Sequence, residues 1–95
     1  MSSAVMLCGE TELINAAGLH ARPAVRLTQT AKSFASTVEF ALAPAGPWID
    51  AKSPVKVMRA KAARGATLRF RVSGPDAEAA LQAMLALVRD GFGET

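Results

Sequence analysis

The sequence is poor in the residues that build most active sites. Its 95 residues include one Cys, one His, one Trp and no Tyr. A single Cys excludes an internal disulfide and a cysteine-based metal cluster. A single His excludes any site that needs two imidazoles. No apolar run nears the ~20 residues of a membrane span, so no membrane association is expected. The first residues, Met1-Ser-Ser-Ala-Val-Met-Leu-Cys-Gly-Glu, carry no basic region and only a short apolar stretch, which does not make a signal peptide. Leu7-Cys8-Gly9 has the outline of a lipoprotein cleavage box but lacks the upstream bases and full apolar region. Cytoplasm is the expected compartment. Acidic residues are scattered, with no pair suited to glycosidase or aspartyl chemistry. No glycine-rich loop is present to cradle a nucleotide phosphate.

What remains is a foldable chain. The hydrophobic fraction is 51% and the charged fraction 20%, which argues for a packed core and against disorder. The length suits one domain covering residues 1–95. A chain this short buries only ~60–65% of its unfolded surface, so a deep pocket or a large cofactor is not expected. No cofactor and no metal are anticipated, and the expected state is a monomer.

The formal net charge is +3, but its distribution says more than its size. Lys52, Lys56, Arg59, Lys61, Arg64, Arg69 and Arg71 lie between Asp50 and Asp76 with no acid among them, seven of the 11 Lys and Arg. Such a run reads as a docking face for an acidic protein, as a nucleic-acid patch, or as a solvated face. No aromatic residues interleave with the bases as stacking platforms for single strands. A basic nucleic-acid-binding module using residues 52–71 is the alternative reading, although no nucleic acid is expected as partner.

Periodicity predicts seven elements. Val5–Ile14 reads as a strand with imperfect alternation, closed by a turn at Asn15-Ala-Ala-Gly18. A helix follows from about Ala21 to Ser33, with Pro23 in its first turn and Ala24, Leu27 and Ala31 on one face. Thr37–Leu42 alternates as a strand, Ala43-Pro-Ala-Gly-Pro47 is a loop, and Trp48–Ala51 is a short strand. Ser53-Pro54 reads as N-cap and first residue of a helix reaching Lys61. Thr67–Val72 is a half-buried strand, with Leu68, Phe70 and Val72 on the core side. Asp76 is the expected N-cap of a last helix over Ala77–Asp90, whose Leu81, Met84, Leu85 and Val88 make one apolar stripe ended by Gly91. The order β-α-β-β-α-β-α predicts an α+β open-faced sandwich: a four-stranded antiparallel sheet with three helices on one face. Trp48 is expected to pack in the core or loop, and Cys8 to be a small strand residue.

Chemistry concentrates in Gly18-Leu19-His20-Ala21-Arg22-Pro23-Ala24. It places the only His at the mouth of a helix, where the first backbone N–H groups lack partners and the dipole favours an anion. A neutral imidazole attacks phosphorus well near neutral pH, and the phosphoramidate formed is reactive enough to pass its phosphoryl group on. Arg22 brings a planar, bidentate partner for phosphate. Ala21, Arg22 and Pro23 form the helix start that would hold the anion. Taken alone, His-x-Arg-Pro also fits an ordinary surface His near a helix end. A small phosphohydrolase with His20 as nucleophile is a further possibility, although no general base or water-positioning acid is evident.

The same segment resembles the phosphorylation-site signature of HPr, the histidine-containing phosphocarrier of the bacterial phosphotransferase system. The order of elements is that family's order, and Asp50-Ala-Lys-Ser-Pro-Val-Lys-Val57 resembles the region around its regulatory serine. The resemblance spans roughly residues 5–94. It implies that His20 is phosphorylated on Nδ1 by phosphoenolpyruvate-primed Enzyme I. It further implies that Arg22 steadies the phosphoryl group, and that IIA-type domains of a sugar or regulatory branch accept it. The chain would then be a relay with a phosphohistidine intermediate rather than an enzyme with turnover of its own. Ser53 matches the serine modified in some lineages by an HPr kinase/phosphorylase. Lys52, Val55, Lys56, Met58 and Arg59 fall where the family's second helix meets partners. Two departures stand out. The segment after that helix, Met58-Arg-Ala-Lys-Ala-Ala-Arg-Gly65, is more basic than usual, and the Ala43–Pro47 loop is about two residues longer than in compact members.

Overall fold

The strand with the clearest alternation becomes the sheet's central strand. In a computed structural model that describes residues 6–93, β4 (Thr67–Ser73) lies between β1 (Met6–Glu12) and β2 (Thr37–Ala41), and β3 (Ile49–Asp50) pairs with the far side of β2. The order is β1-β4-β2-β3, and every pair is antiparallel. Leu68, Phe70 and Val72 are wholly buried on one face, as the period of two requires. Phe70 stands opposite Gly9 on one side and Phe40 on the other, its ring centroid 6.2 Å from that of Phe40. Gly9 matters here because a Cβ would come within 3.1 Å of a Leu85 methyl. The missing side chain lets the last helix close onto the sheet.

Three helices cover this one face: α1 (Arg22–Lys32), α2 (Pro54–Arg59) and α3 (Ala77–Arg89), followed by a 3-10 turn at Gly91–Gly93. Leu27 and Ala31 of α1, Val57 of α2, and Ala80, Met84 and Val88 of α3 join the inward strand residues in one core. Phe40, Phe70 and Phe92 are its largest wholly buried side chains, each contributing about 1.5–3 kcal/mol by burial. Phe92 sits at a left-handed φ of 59°, and Arg26 of α1 donates a 3.1 Å hydrogen bond to its carbonyl, tying the C-terminal turn to the first helix.

The expected architecture is the observed one, with most elements shorter and β4 one residue longer, reaching Ser73. β1 ends at Glu12 because Leu13 leaves the strand pairing to exchange hydrogen bonds with the turn before β4, Leu13 N to Ala66 O at 2.8 Å and Gly65 N to Leu13 O at 2.7 Å. The expected start of β1 at Val5 lies outside the described residues. Ala21 and Ser33 flank α1 instead of belonging to it, and β2 stops at Ala41. β3 shrinks to two residues. The second helix ends at Arg59, not Lys61, because Lys61 turns left-handed at φ 52°. α3 stops at Arg89, with Asp90 as cap and Gly91 at φ 63°.

Asp76 precedes α3 as expected, but its carboxylate does not cap that helix. It accepts hydrogen bonds from the backbone N–H of Ala35 at 2.9 Å and of Ser36 at 2.8 Å, and from the Ser36 hydroxyl. The Ser36 oxygen in turn accepts from the Asp76 N–H at 3.1 Å. These bonds, the one to the Ser36 hydroxyl first and that to Ala35 second, hold the Asp76 carboxyl below the usual carboxylate range. The carboxylate therefore staples the turn before β2 to the turn before α3.

Among the described residues the sheet's second face carries no helix. Arg71 there donates to Glu39 at 2.8 Å and stacks 4.3 Å from the centroid of the Trp48 ring. Arg69 pairs with Glu10 at 3.5 Å, and Cys8 is exposed on the same side.

Candidate functional site

The loop before α1 is built to expose three residues and bury those around them. Asn15 closes the turn: its backbone carbonyl accepts from Gly18 N at 3.2 Å and its side-chain amide donates to the Gly18 carbonyl at 3.0 Å. Gly18 takes φ 66°, and a Cβ on it would meet the Ala62 carbonyl oxygen at 2.4 Å. Leu19 is buried and donates its N–H to that same oxygen at 2.9 Å. His20, Ala21 and Arg22 then stand exposed before Pro23 and Ala24 return to the core. Two buried anchors thus hold an exposed His between them.

Ala21 occupies the N-cap position with φ 55° and ψ −121° and offers no side-chain oxygen to the helix. That region belongs to glycine, and an Ala held there costs on the order of 1–3 kcal/mol. Pro23 has no N–H, so the first turn presents the amides of Arg22 and Ala24 without a side-chain cap. Val25 N makes the first turn's bond, to Ala21 O at 3.2 Å. An imidazole, a guanidinium and open amides therefore project from one short stretch at the positive end of a helix dipole. The arrangement can accept an anion and, through the imidazole, bond to its central atom.

The second helix bears out the capping expectation for Ser53, whose Oγ accepts from Lys56 N at 3.3 Å with Pro54 at the first helical position. Val57 is buried, while Val55 and Met58 are 58% and 39% exposed, large apolar groups presented to solvent. Val25 on α1 is 43% exposed and joins that set. Sequence reasoning missed it. The signal was there, because Val25 falls beside the Ala24, Leu27, Ala31 stripe and has no core position to fill. α1 packs against α2, and the segment after α2 meets the His20 loop at Ala62 and Ala63. Ser53 stands at the other end of the six-residue helix from that junction.

The basic run does not form one face. Arg69 and Arg71 alternate onto the sheet side away from the helices, where each faces an acid. Lys52, one of the expected partner-binding residues, donates its ammonium to the Phe34 carbonyl at 2.9 Å and is half-buried, so it ties β3 to the end of α1 rather than reaching outward. Lys56, Arg59, Lys61 and Arg64 remain exposed. A continuous nucleic-acid patch over residues 52–71 is thereby broken into two separate surfaces. Among the described residues no three His, Cys, Asp or Glu side chains converge as a metal site would require, and no helix is long and apolar enough to cross a membrane.

Residues 8–90 match the family described as "PTS HPr component phosphorylation site". The chain belongs to the HPr family, the phosphocarriers of the phosphotransferase system. It is 43% identical over 89 residues to the phosphocarrier protein HPr of Cupriavidus necator, covering 94% of this chain and 98% of that one. It is 42% identical over 81 residues to a multiphosphoryl transfer protein of Vibrio cholerae, where it covers 84% of this chain but only 20% of the larger protein. The same HPr unit thus occurs alone and inside longer chains. Among solved structures, HPr-C-His from Thermoanaerobacter tengcongensis superposes with a TM-score of 0.86 at 31% identity, covering 94% of this chain and 98% of that one. The HPr fold and the sheet described above are therefore one architecture.

Proposed function

We infer that this HPr accepts a phosphoryl group on His20 from phosphoenolpyruvate-primed Enzyme I and delivers it to a IIA-type domain, in a sugar-uptake or regulatory branch. The observation that carries the reading is an exposed imidazole at an uncapped helix start, with Arg22 two residues along.

In the accepting step the imidazole nitrogen lone pair attacks phosphorus. The P–N bond to His20 forms as the bond from phosphorus to the donor's leaving atom breaks. The electron pair of that bond stays with the donor. Arg22 spreads two N–H groups across the equatorial oxygens, and the amides of Arg22 and Ala24 add donors aligned with the dipole. The delivering step reverses these bonds toward the acceptor, so no water is needed and none is activated. Among the described residues no carboxylate pairs with His20 as a general base would, which fits a relay better than a hydrolase.

Partners dock on the helix side. Val25, Val55 and Met58 provide apolar contact, and Lys56 and Arg59 steer an acidic-rimmed surface onto it. Ser53, capping α2 beside Lys56, is the candidate regulatory site for an HPr kinase/phosphorylase. The reading describes a cytoplasmic monomer whose 95 residues form one HPr domain.

Incubation with phosphoenolpyruvate and Enzyme I tests the assignment. The expected product gains the mass of one phosphate, labile in acid and stable in alkali, and His20→Ala does not acquire it. Acquisition by the variant would move the acceptor elsewhere.

A further inference from the structure

Between the β2–β3 loop and α2 lies a pocket of about 400 Å³ that the relay chemistry does not use. Pro47, Trp48 and Ile49 form one wall, and Lys56, Arg59 and Ala60 the other. We propose that this pocket is a second docking element of the helix-side surface, taking an apolar side chain flanked by carboxylates on an acidic protein partner. The proposal rests on the relay reading and adds to it the part of the partner that is gripped.

Three observations carry it. The first is charge: two cations and no acid line the pocket, and among the described residues neither Lys56 nor Arg59 has an acidic partner within ion-pair reach. The second is a rigid aromatic wall. Arg71 stacks on Trp48 at 4.3 Å and is itself fixed by Glu39 at 2.8 Å, so the indole has a fixed partner before anything binds. A large ring already immobilised loses little freedom on association, and Trp and Arg dominate interface energetics for that reason. The third is continuity. Lys56 and Arg59 of α2 and its C-cap Ala60 are spaced i, i+3, i+4 and share one stripe, directly beside the stripe of Val55 and Met58. A partner resting on the exposed Val55 and Met58 reaches the pocket without leaving the helix.

The pocket is open over much of its mouth. A free metabolite would make too few contacts there to offset its lost translational freedom, whereas a side chain delivered on a larger surface has that loss covered elsewhere. Pro47 and Trp48 at the end of the β2–β3 loop build that wall together with Ile49 of β3.

Trp48 is the only Trp, so its emission and its indole N–H resonance come from one residue. It also borders the bare sheet face beside Glu10 and Arg69, and the α2 variants separate the two sides. The experiment titrates the protein with the amino-terminal domain of Enzyme I and, separately, with a IIA-type domain. It follows Trp48 fluorescence together with the backbone amides of His20 and α2. The expected result is a saturable Trp48 change with the same midpoint as the His20 amide shifts for at least one of the two domains. Arg59→Glu and the pocket-filling Ala60→Phe should each weaken that midpoint about tenfold. Amide spectra of both variants check that α2 is intact. Shifts at His20 with a silent Trp48, and unchanged midpoints in both variants, overturn the pocket and leave the relay standing. Silence at both residues with either domain overturns both readings. A Trp48 response to a single-stranded oligonucleotide but to neither domain overturns the protein-partner assignment.

Discussion

Gly18 and Ala62 meet without room for another atom. A Cβ on Gly18 would approach the Ala62 carbonyl oxygen to 2.4 Å, and that oxygen already accepts the Leu19 N–H at 2.9 Å. The His20 loop is thereby fastened to the segment that follows the second helix. Gly18→Ala should combine a left-handed φ penalty of about 1 kcal/mol with a backbone clash of about 1–3 kcal/mol. Denaturant melts should show a loss on the order of 2–4 kcal/mol. Phosphorylation of the folded fraction by Enzyme I should slow as the loop shifts. A melt within error of wild type would mean that the junction yields easily.

His20→Ala and Arg22→Lys separate chemistry from stability. Both residues are exposed, so each change should move folding stability by no more than about 0.5 kcal/mol. The first should abolish phosphoryl acceptance. The second keeps the charge and loses the planar fork, so transfer should slow on the order of tenfold while the phosphohistidine still forms. Equal rates for Arg22→Lys and wild type would reduce Arg22 to a surface charge.

Asp76 predicts an acid-sensitive fold. Its carboxyl is held below its usual range, first by the Ser36 hydroxyl and then by the Ala35 amide. A group with a depressed folded value contributes stability that is complete above its unfolded value, about 3.9. That contribution drains away as pH falls through the lower folded value. Asp76→Asn should therefore be less stable than wild type at pH 7, and the gap should narrow steadily at acid pH. Urea melts at a series of pH values measure the gap. A gap constant down to the acid limit would show that the bonds to Ser36 and Ala35 do not depend on charge.

Ser53→Asp tests the electrostatic consequence of modifying the second helix. Asp is itself a good N-cap, so the fold should persist. The added charge lies beside Lys56 and close to the exposed cations of α2, and should slow acceptance from Enzyme I most at low salt, where screening is weakest. Identical rates at every salt concentration would leave Ser53 with capping alone.

Lys61 holds a left-handed conformation that ends the second helix, a place where Gly is the ordinary occupant. Lys61→Gly should raise stability by about 0.5–1 kcal/mol, read as a higher denaturation midpoint. A lower midpoint would mean that the lysine side chain makes contacts worth more than its backbone strain.

The architecture could be read from period and punctuation. Leu68, Phe70 and Val72 fall on one face of a strand by alternation alone, and Ser53-Pro54 and Gly91 mark helix ends by local chemistry that needs no tertiary partner. The His20 loop was equally local, since Gly18, His20, Arg22 and Pro23 are near neighbours in the chain. What escaped was long-range. Asp76 looked like a cap because its true donors, at Ala35 and Ser36, lie some 40 residues away. The seven bases looked like one patch because proximity in sequence says nothing of facing: Arg69 and Arg71 alternate onto the bare side of the sheet, while Lys56 and Arg59 ride on a helix. Ala21 gave no hint of its left-handed φ, because the surrounding fold imposes that angle and the residue type does not favour it.

The strand order β1-β4-β2-β3 also sets a schedule for synthesis. β4, the strand that joins β1 to β2, is the last of the four to leave the ribosome, and its partners on both sides wait for it. Met6 finds Ser73 only after most of the chain has been made. Until then, among the described residues, the only strand pair available is β2 with its two-residue neighbour β3, too little to stand alone in water. A nascent chain halted before Thr67 should therefore remain protease-sensitive throughout, with no folded N-terminal half. Acquisition of structure should be nearly all-or-none once β4 and α3 are free.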